Sequence, residues 1–90
     1  MTKRTAFWES VCSLRHLETT IIRAGEDGIT IADLQAATGL SRRTIDRNLI
    51  ALQTLGAGLT NDGSGGRVAR RWMLRADQAV FRWMVRKGVR

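Results

Sequence analysis

The sequence predicts a mainly helical α+β domain in the order helix, short strand, helix, helix, β-hairpin, helix. Three observations point there. Apolar residues recur every three or four positions over residues 6–24 and again over 42–55, the rhythm of helices buried along one side. Gly39-Leu40-Ser41 interposes a tight turn just ahead of the second stretch. Beyond Gly56 the rhythm changes to alternation around a glycine-rich run, the pattern of two short strands joined by a loop.

The first helix is expected from about Ala6 to Ala24. Phe7, Trp8, Val11, Leu14, Ile21 and Ile22 form its inner stripe, Leu17 widens it, and only Glu18 interrupts it. Gly25 is a natural stop, followed by the polar loop Glu26-Asp27-Gly28. Ile29-Thr30-Ile31 allows no more than a minor strand. Thr30, with Asp33 three positions on, resembles a capping box that opens a short helix from Ile31 to Thr38, with Leu34 and Ala37 inward.

Gly39 then lets the chain turn, and Ser41 is a good N-cap for a helix over about 42–55. Ile45, Leu49 and Leu52 fall at i, i+4 and i+7 and share one face; Arg43, Arg47, Ile50 and Thr54 share the opposite one. The hairpin is expected over about 59–74. Leu59-Thr60 is its first strand, residues 61–66 its turn, and from Arg67 the side chains alternate. Val68, Arg70, Trp72 and Leu74 share one side; Arg67, Ala69, Arg71 and Met73 share the other. A last helix is expected over about 76–87, with Ala76, Val80, Phe81 and Met84 apolar.

Ninety residues make one domain, 1–90, with a single modest core and little room for a separate effector domain or a roomy enzyme pocket. Its hydrophobic fraction of 43% suits a folded domain and not a disordered tail. No apolar run approaches the roughly 20 residues that span a bilayer. One cysteine, Cys12, rules out an intramolecular disulfide and fits a reducing compartment, so a cytoplasmic location is expected. The net charge of +7 is unevenly spread. Residues 26–40 carry three acidic residues and no Lys or Arg, whereas residues 41–90 carry eleven Lys and Arg against three Asp. A basic half opposite an acidic segment suits a polyanion on one face.

A short helix, a glycine turn and a second helix with outward arginines is the arrangement of a helix-turn-helix, and its first expected partner is double-stranded DNA. With the strand and hairpin added, the chain resembles the winged helix-turn-helix domains of bacterial transcription regulators, closest in flavour to the isocitrate-lyase-regulator family. The matching residues are 28–34 (Gly-Ile-Thr-Ile-Ala-Asp-Leu), 37–41 (Ala-Thr-Gly-Leu-Ser), 44–49 (Thr-Ile-Asp-Arg-Asn-Leu) and 52–56 (Leu-Gln-Thr-Leu-Gly). The resemblance covers about residues 28–75. It implies a recognition helix whose Ser41, Arg42, Arg43, Thr44 and Arg47 enter or border the major groove, and a wing over Asn61 to Arg71. Relatives usually add an effector-binding domain, so ligand sensing is not carried over.

Arginine suits that helix because its guanidinium donates two parallel bonds to the two major-groove acceptors of guanine. Asp46 is expected to orient Arg42 or Arg43. In the hairpin, Arg67, Arg70 and Arg71 are expected to meet phosphates or the minor groove. Phe7, Trp8, Trp72 and Phe81 lie on apolar stripes and are expected in the core, not stacked on bases. His16 has only Cys12 nearby, which is no zinc ligand set. No catalytic constellation is present, so neither an enzyme nor a cofactor or small-molecule effector is expected. The expected function is a small sequence-specific DNA-binding protein, a transcriptional regulator acting as a homodimer with Phe81, Trp83 and Met84 at the interface. The alternatives are a winged-helix adaptor that binds a protein through Ile50, Trp83 and the last helix, or a DNA-architecture or recombination accessory protein of a mobile element. A peripheral membrane role for the last helix is set aside because the fold needs its apolar face.

Overall fold

The computed structural model describes residues 3–65 and 67–81, with side chains from Ser10 onward. Among the described residues, three α-helices and a three-stranded antiparallel sheet make up the fold. Helix α1 spans Lys3–Ala24, α2 Ile31–Thr38 and α3 Arg42–Thr54. Strands β1 (Ile29–Thr30), β2 (Thr60–Asn61) and β3 (Arg71–Met73) are short, and β3 lies between the other two.

The three helices pack on one another around Leu17, Ile21, Leu34, Ile45, Leu49 and Leu52, all buried. Leu59, Trp72, Leu74 and Ala79 close that core from the sheet side. Ile45, Leu49 and Leu52 therefore form the buried back of α3, as their spacing predicts. Helix α1 begins earlier than its apolar rhythm suggests, at Lys3, and its central buried residue is Leu17. Helix α2 buries Leu34 alone; Ala37, expected inward, is exposed. Ala37 lies about 60° round from Leu34 in the last turn of α2, and there the helix end passes beyond the edge of the core.

The turn between α2 and α3 is closed by local bonds. Gly39 takes the left-handed conformation, φ 75°, and its N–H donates to Gln35 O at 2.8 Å. That conformation disfavours residues with a Cβ. Thr38 Oγ1 donates to Leu34 O and accepts from Leu40 N–H, so the polar groups freed by the helix end are satisfied inside the turn. Gly28 (φ 76°) serves a different need. A Cβ there would lie 2.8 Å from Met73 Sδ and 3.1 Å from Trp72 O, so only glycine lets the end of the first loop approach β3 this closely.

The hairpin is looser than its alternating sequence suggests. Pairing is limited to Thr60 and Asn61 with Met73 and Trp72, and to Ile29 and Thr30 with Trp72 and Arg71. None of the described residues between 62 and 70 is in a strand. Val68, expected inward, is 64% exposed, because alternation carries a side chain inward only where a ladder holds the strand. Trp72 and Leu74 do point inward.

The final helix expected from residue 76 is not formed over the part described. Ala76–Gln78 is a single 3-10 turn and Ala79 is extended. The backbone N–H groups that a helix would direct to its own carbonyls go elsewhere. Val80 N–H donates to Glu18 Oε2 at 2.6 Å and Phe81 N–H to Glu18 Oε1 at 3.0 Å. Gln78 O accepts from Gly58 N–H. Glu18, which interrupts the apolar stripe of α1, is thus buried and clamps the chain as it leaves the core. The remainder of that helix, including Trp83 and Met84, lies outside the described residues, as do the side chains of Phe7 and Trp8.

Candidate nucleic-acid interface

Helix α3 presents its polar residues in a fixed order because successive residues turn by about 100°. With Ile45, Leu49 and Leu52 against the core, the outermost line runs through Arg43, Arg47, Ile50 and Thr54, all exposed. Ile50 is 64% exposed, too much for a core residue. Arg42 and Asp46 lie on one flank, and Thr44, Asn48 and Ala51 on the other. Ser41 caps the helix: its Oγ accepts from Thr44 N–H at 3.2 Å and donates to Thr44 Oγ1 at 3.0 Å. Its hydroxyl is committed to the cap, which fixes the start of the basic face.

The Arg42 flank faces the hairpin. An open cleft of about 450 Å³ lies between the starts of α2 and α3 and the loop, with Arg42, Asp46, Ser64, Val68 and Arg70 on its walls and Trp72 beneath. Trp72 Nε1 is buried without a hydrogen-bond partner. Arg42 Nε and Asp46 Oδ2 are 3.8 Å apart, one helical turn, with both side chains at least half exposed. Asp46 therefore sits beside Arg42 and not Arg43. At that distance and exposure it steers the guanidinium more than it binds it.

The hairpin loop is shaped by side-chain-to-backbone bonds. Asn61 Oδ1 accepts from Gly63 N–H at 2.8 Å, and Asp62 Oδ1 accepts from both Ser64 N–H and Arg71 N–H. Asp62 N–H also donates to Arg71 O. The two accepted backbone bonds, Ser64 first and Arg71 second, hold the Asp62 carboxyl below the ordinary aspartate range. Arg70 Nε donates to Ser64 O at 2.8 Å, which draws its guanidinium along the loop and into the cleft wall. Arg70 is thus exposed although it shares the alternation of Trp72 and Leu74. Arg67 and Arg71 are exposed as well.

The structure brings Arg42 and Arg70 to one cleft, and places Arg43 and Arg47 on the outer line of the adjoining helix. Phe81 is half-buried at the end of the described chain. Sequence reasoning missed three features: the Glu18 clamp, the Asp62 staple and a polar groove on the Thr44 flank. The first left a signal, a carboxylate inside an apolar stripe. The other two depend on where the loop and α1 lie.

His16 and Cys12 are exposed, and among the described residues no group of His, Cys, Asp and Glu could hold a metal ion. No helix of the described residues is long and apolar enough to cross a membrane. No family model, curated protein or solved structure matches the chain, so its own residues carry the functional reading.

Proposed function

We propose that the protein is a winged helix-turn-helix that binds double-stranded DNA sequence-specifically and regulates transcription. In this reading α3 is the recognition helix, α2 supports it, and residues 59–74 are the wing. The observation that carries it is the outer line of α3. Arg43 and Arg47 stand exposed one turn apart near the capped start of a helix whose back is wholly buried. The flanking cleft links that helix to a loop bearing Arg67, Arg70 and Arg71. An α-helix is about as wide as the major groove, so such a line meets base edges while flanking cations meet phosphates. The order of helix, short strand, helix, helix and hairpin, with β3 between β1 and β2, is compatible with this fold.

A single module of this size buries roughly 600–1,000 Å² on DNA, little for tight and selective binding. A homodimer on an inverted repeat supplies the rest, its two recognition helices about 34 Å or a multiple apart. Phe81, Trp83 and Met84 are the residues proposed for its interface. Sedimentation of the full chain, and of a chain ending at residue 82 so that the Glu18 clamp is kept, tests that part. Retention of the dimer by the shortened chain would move the interface elsewhere.

Binding-site selection from a random duplex pool tests the DNA reading. Arg43→Ala should relax preference at one or two base pairs, each worth about 1–3 kcal/mol of discrimination. Arg71→Ala should weaken all sequences alike, because phosphate contacts position and base contacts specify. No enrichment of any sequence by the unaltered chain would overturn the reading.

A further inference from the structure

The second flank of α3 borders a groove that shares Thr44 and Arg47 with the recognition helix and reaches beyond it to α1. It runs between α1 and α3, holds about 570 Å³, and is walled by Ser10, Ser13, Thr44, Arg47 and Asn48 over a floor of Leu14 and Ala51. Three properties set it apart. None of the described residues lining it is acidic, unlike the cleft on the hairpin side, where Asp46 faces Arg42. Its polar walls offer hydroxyls, an amide and one guanidinium, all able to donate to an anion. Asn48 Nδ2 is buried there with no hydrogen-bond partner. A buried donor left unpaired costs free energy that an arriving acceptor would recover.

We propose that this groove takes one phosphodiester of the DNA backbone, which makes α1 a second contact element beside the recognition helix. The inference rests on the DNA-binding reading and adds a subsite to it. The argument is geometric. Residues on the outer line of α3 meet base edges, and residues about 60–100° off that line meet the strand that borders the groove. Thr44 and Asn48 occupy that flank, and Ser10 and Ser13 face it from α1. Arg47 lies at the edge between outer line and groove, so its charge neutralises the phosphate while the short neutral side chains fix its position. Short hydroxyl and amide donors reach a phosphate only where the backbone comes close, which sets the register of the helix along the duplex.

The test uses the full chain and three unrelated duplexes, one of them chosen by selection. Ser10→Ala/Ser13→Ala should bind all three at least about tenfold more weakly, since even one hydrogen bond to a charged group contributes at least the roughly 1.4 kcal/mol of a tenfold change. Its salt dependence should match that of the unaltered chain, because no charge is removed. Arg47→Ala should lower the steepness of log K against log salt by about 0.9, one phosphate's share. On the selected duplex, replacing phosphates one at a time with neutral methylphosphonates should reveal one position that weakens the unaltered chain more than the serine double variant, which has lost two of the contacts there. Thermal unfolding checks the fold of each variant, and alanine at two helical positions is expected to preserve it. Affinity of the double variant equal to that of the unaltered chain, or equal sensitivity at every methylphosphonate, overturns the subsite alone. Absence of duplex binding by the unaltered chain overturns the parent reading and the subsite with it.

Discussion

The two basic segments of the molecule are held in place by opposite means. Helix α3 carries Arg42, Arg43 and Arg47 on a body seated through Ile45, Leu49 and Leu52, with Ile45 and Leu52 wholly inaccessible. The hairpin loop carries Arg67, Arg70 and Arg71 on backbone that forms almost no ladder, and none of its described residues between 60 and 71 is buried. Its shape comes from Asn61, Asp62 and Arg70 bonded to the loop's own amides and carbonyls. Burial of apolar surface holds α3 in one position whatever the pH or ionic strength. Exposed polar bonds hold the loop more weakly and leave it adjustable. For a DNA-binding surface the division is useful. The element that reads bases must be fixed, whereas the element that grips the backbone gains from conforming to it.

The largest way to break this comparison is to loosen the seat of α3. Leu49→Ala should cost about 2–5 kcal/mol of folding stability, the range for a buried leucine truncated to alanine. Urea unfolding measures it, and Leu49 is 4% exposed, so full core behaviour is expected. A loss under 1 kcal/mol would mean that the loop and sheet, and not the apolar back, position the helix.

A smaller effect sharpens the contrast, because the apolar half contains one polar device of its own. Glu18→Ala removes the acceptor of both Val80 N–H and Phe81 N–H and should cost about 1–3 kcal/mol, the penalty for orphaned buried donors. Glu18→Gln keeps one acceptor oxygen and should fall between that variant and the unaltered chain. Urea unfolding again reads it. Equal stability of all three would remove Glu18 from the account of why residues 79–81 are not helical.

These elements differ in how much of them could be read from sequence. The three helices, the cap at Ser41, the turn at Gly39 and the buried back of α3 all follow from local spacing, and local spacing decides them. The strand at Ile29-Thr30 and the inward Trp72 were legible for the same reason. The start expected for the final helix, at Ala76, was not. Its apolar rhythm is real, but a carboxylate 62 residues away in sequence takes the amide that helix formation would use. Val68 misled likewise, since alternation implies burial only where a strand is paired. In the candidate site, the exposed arginines of α3 were legible from the helical wheel. The choice of Arg42 over Arg43 as the partner of Asp46, the reach of Arg70 to Ser64 and the groove beside Ser13 needed three-dimensional placement.

The smallest effect concerns the loop and comes from pH. Asp62 is held below its ordinary range by accepting from Ser64 and Arg71 amides, so its folded value lies under its unfolded one. The staple is therefore fully present above the ordinary aspartate value of about 3.9 and is lost as pH falls through the lower folded value. Amide resonances of Ser64 and Arg71 should titrate together with a midpoint below about 3.9, and Asp62→Asn should abolish that titration. Resonances of α3 should not follow it. A midpoint at or above the ordinary value would show that the two bonds do not favour the charged carboxyl.

The central claim is that a fixed basic helix and an adjustable basic loop together grip duplex DNA. The most direct measurement is the affinity of the full chain for a labelled duplex as salt is raised, followed by fluorescence anisotropy. Each neutralised phosphate contributes about −0.9 to the slope of log K against log salt, so at least three phosphate contacts predict a slope steeper than about −2.7. Alanine at both Arg70 and Arg71 should flatten it while leaving the selected sequence unchanged. A slope near zero, or no binding at low salt, would contradict the account.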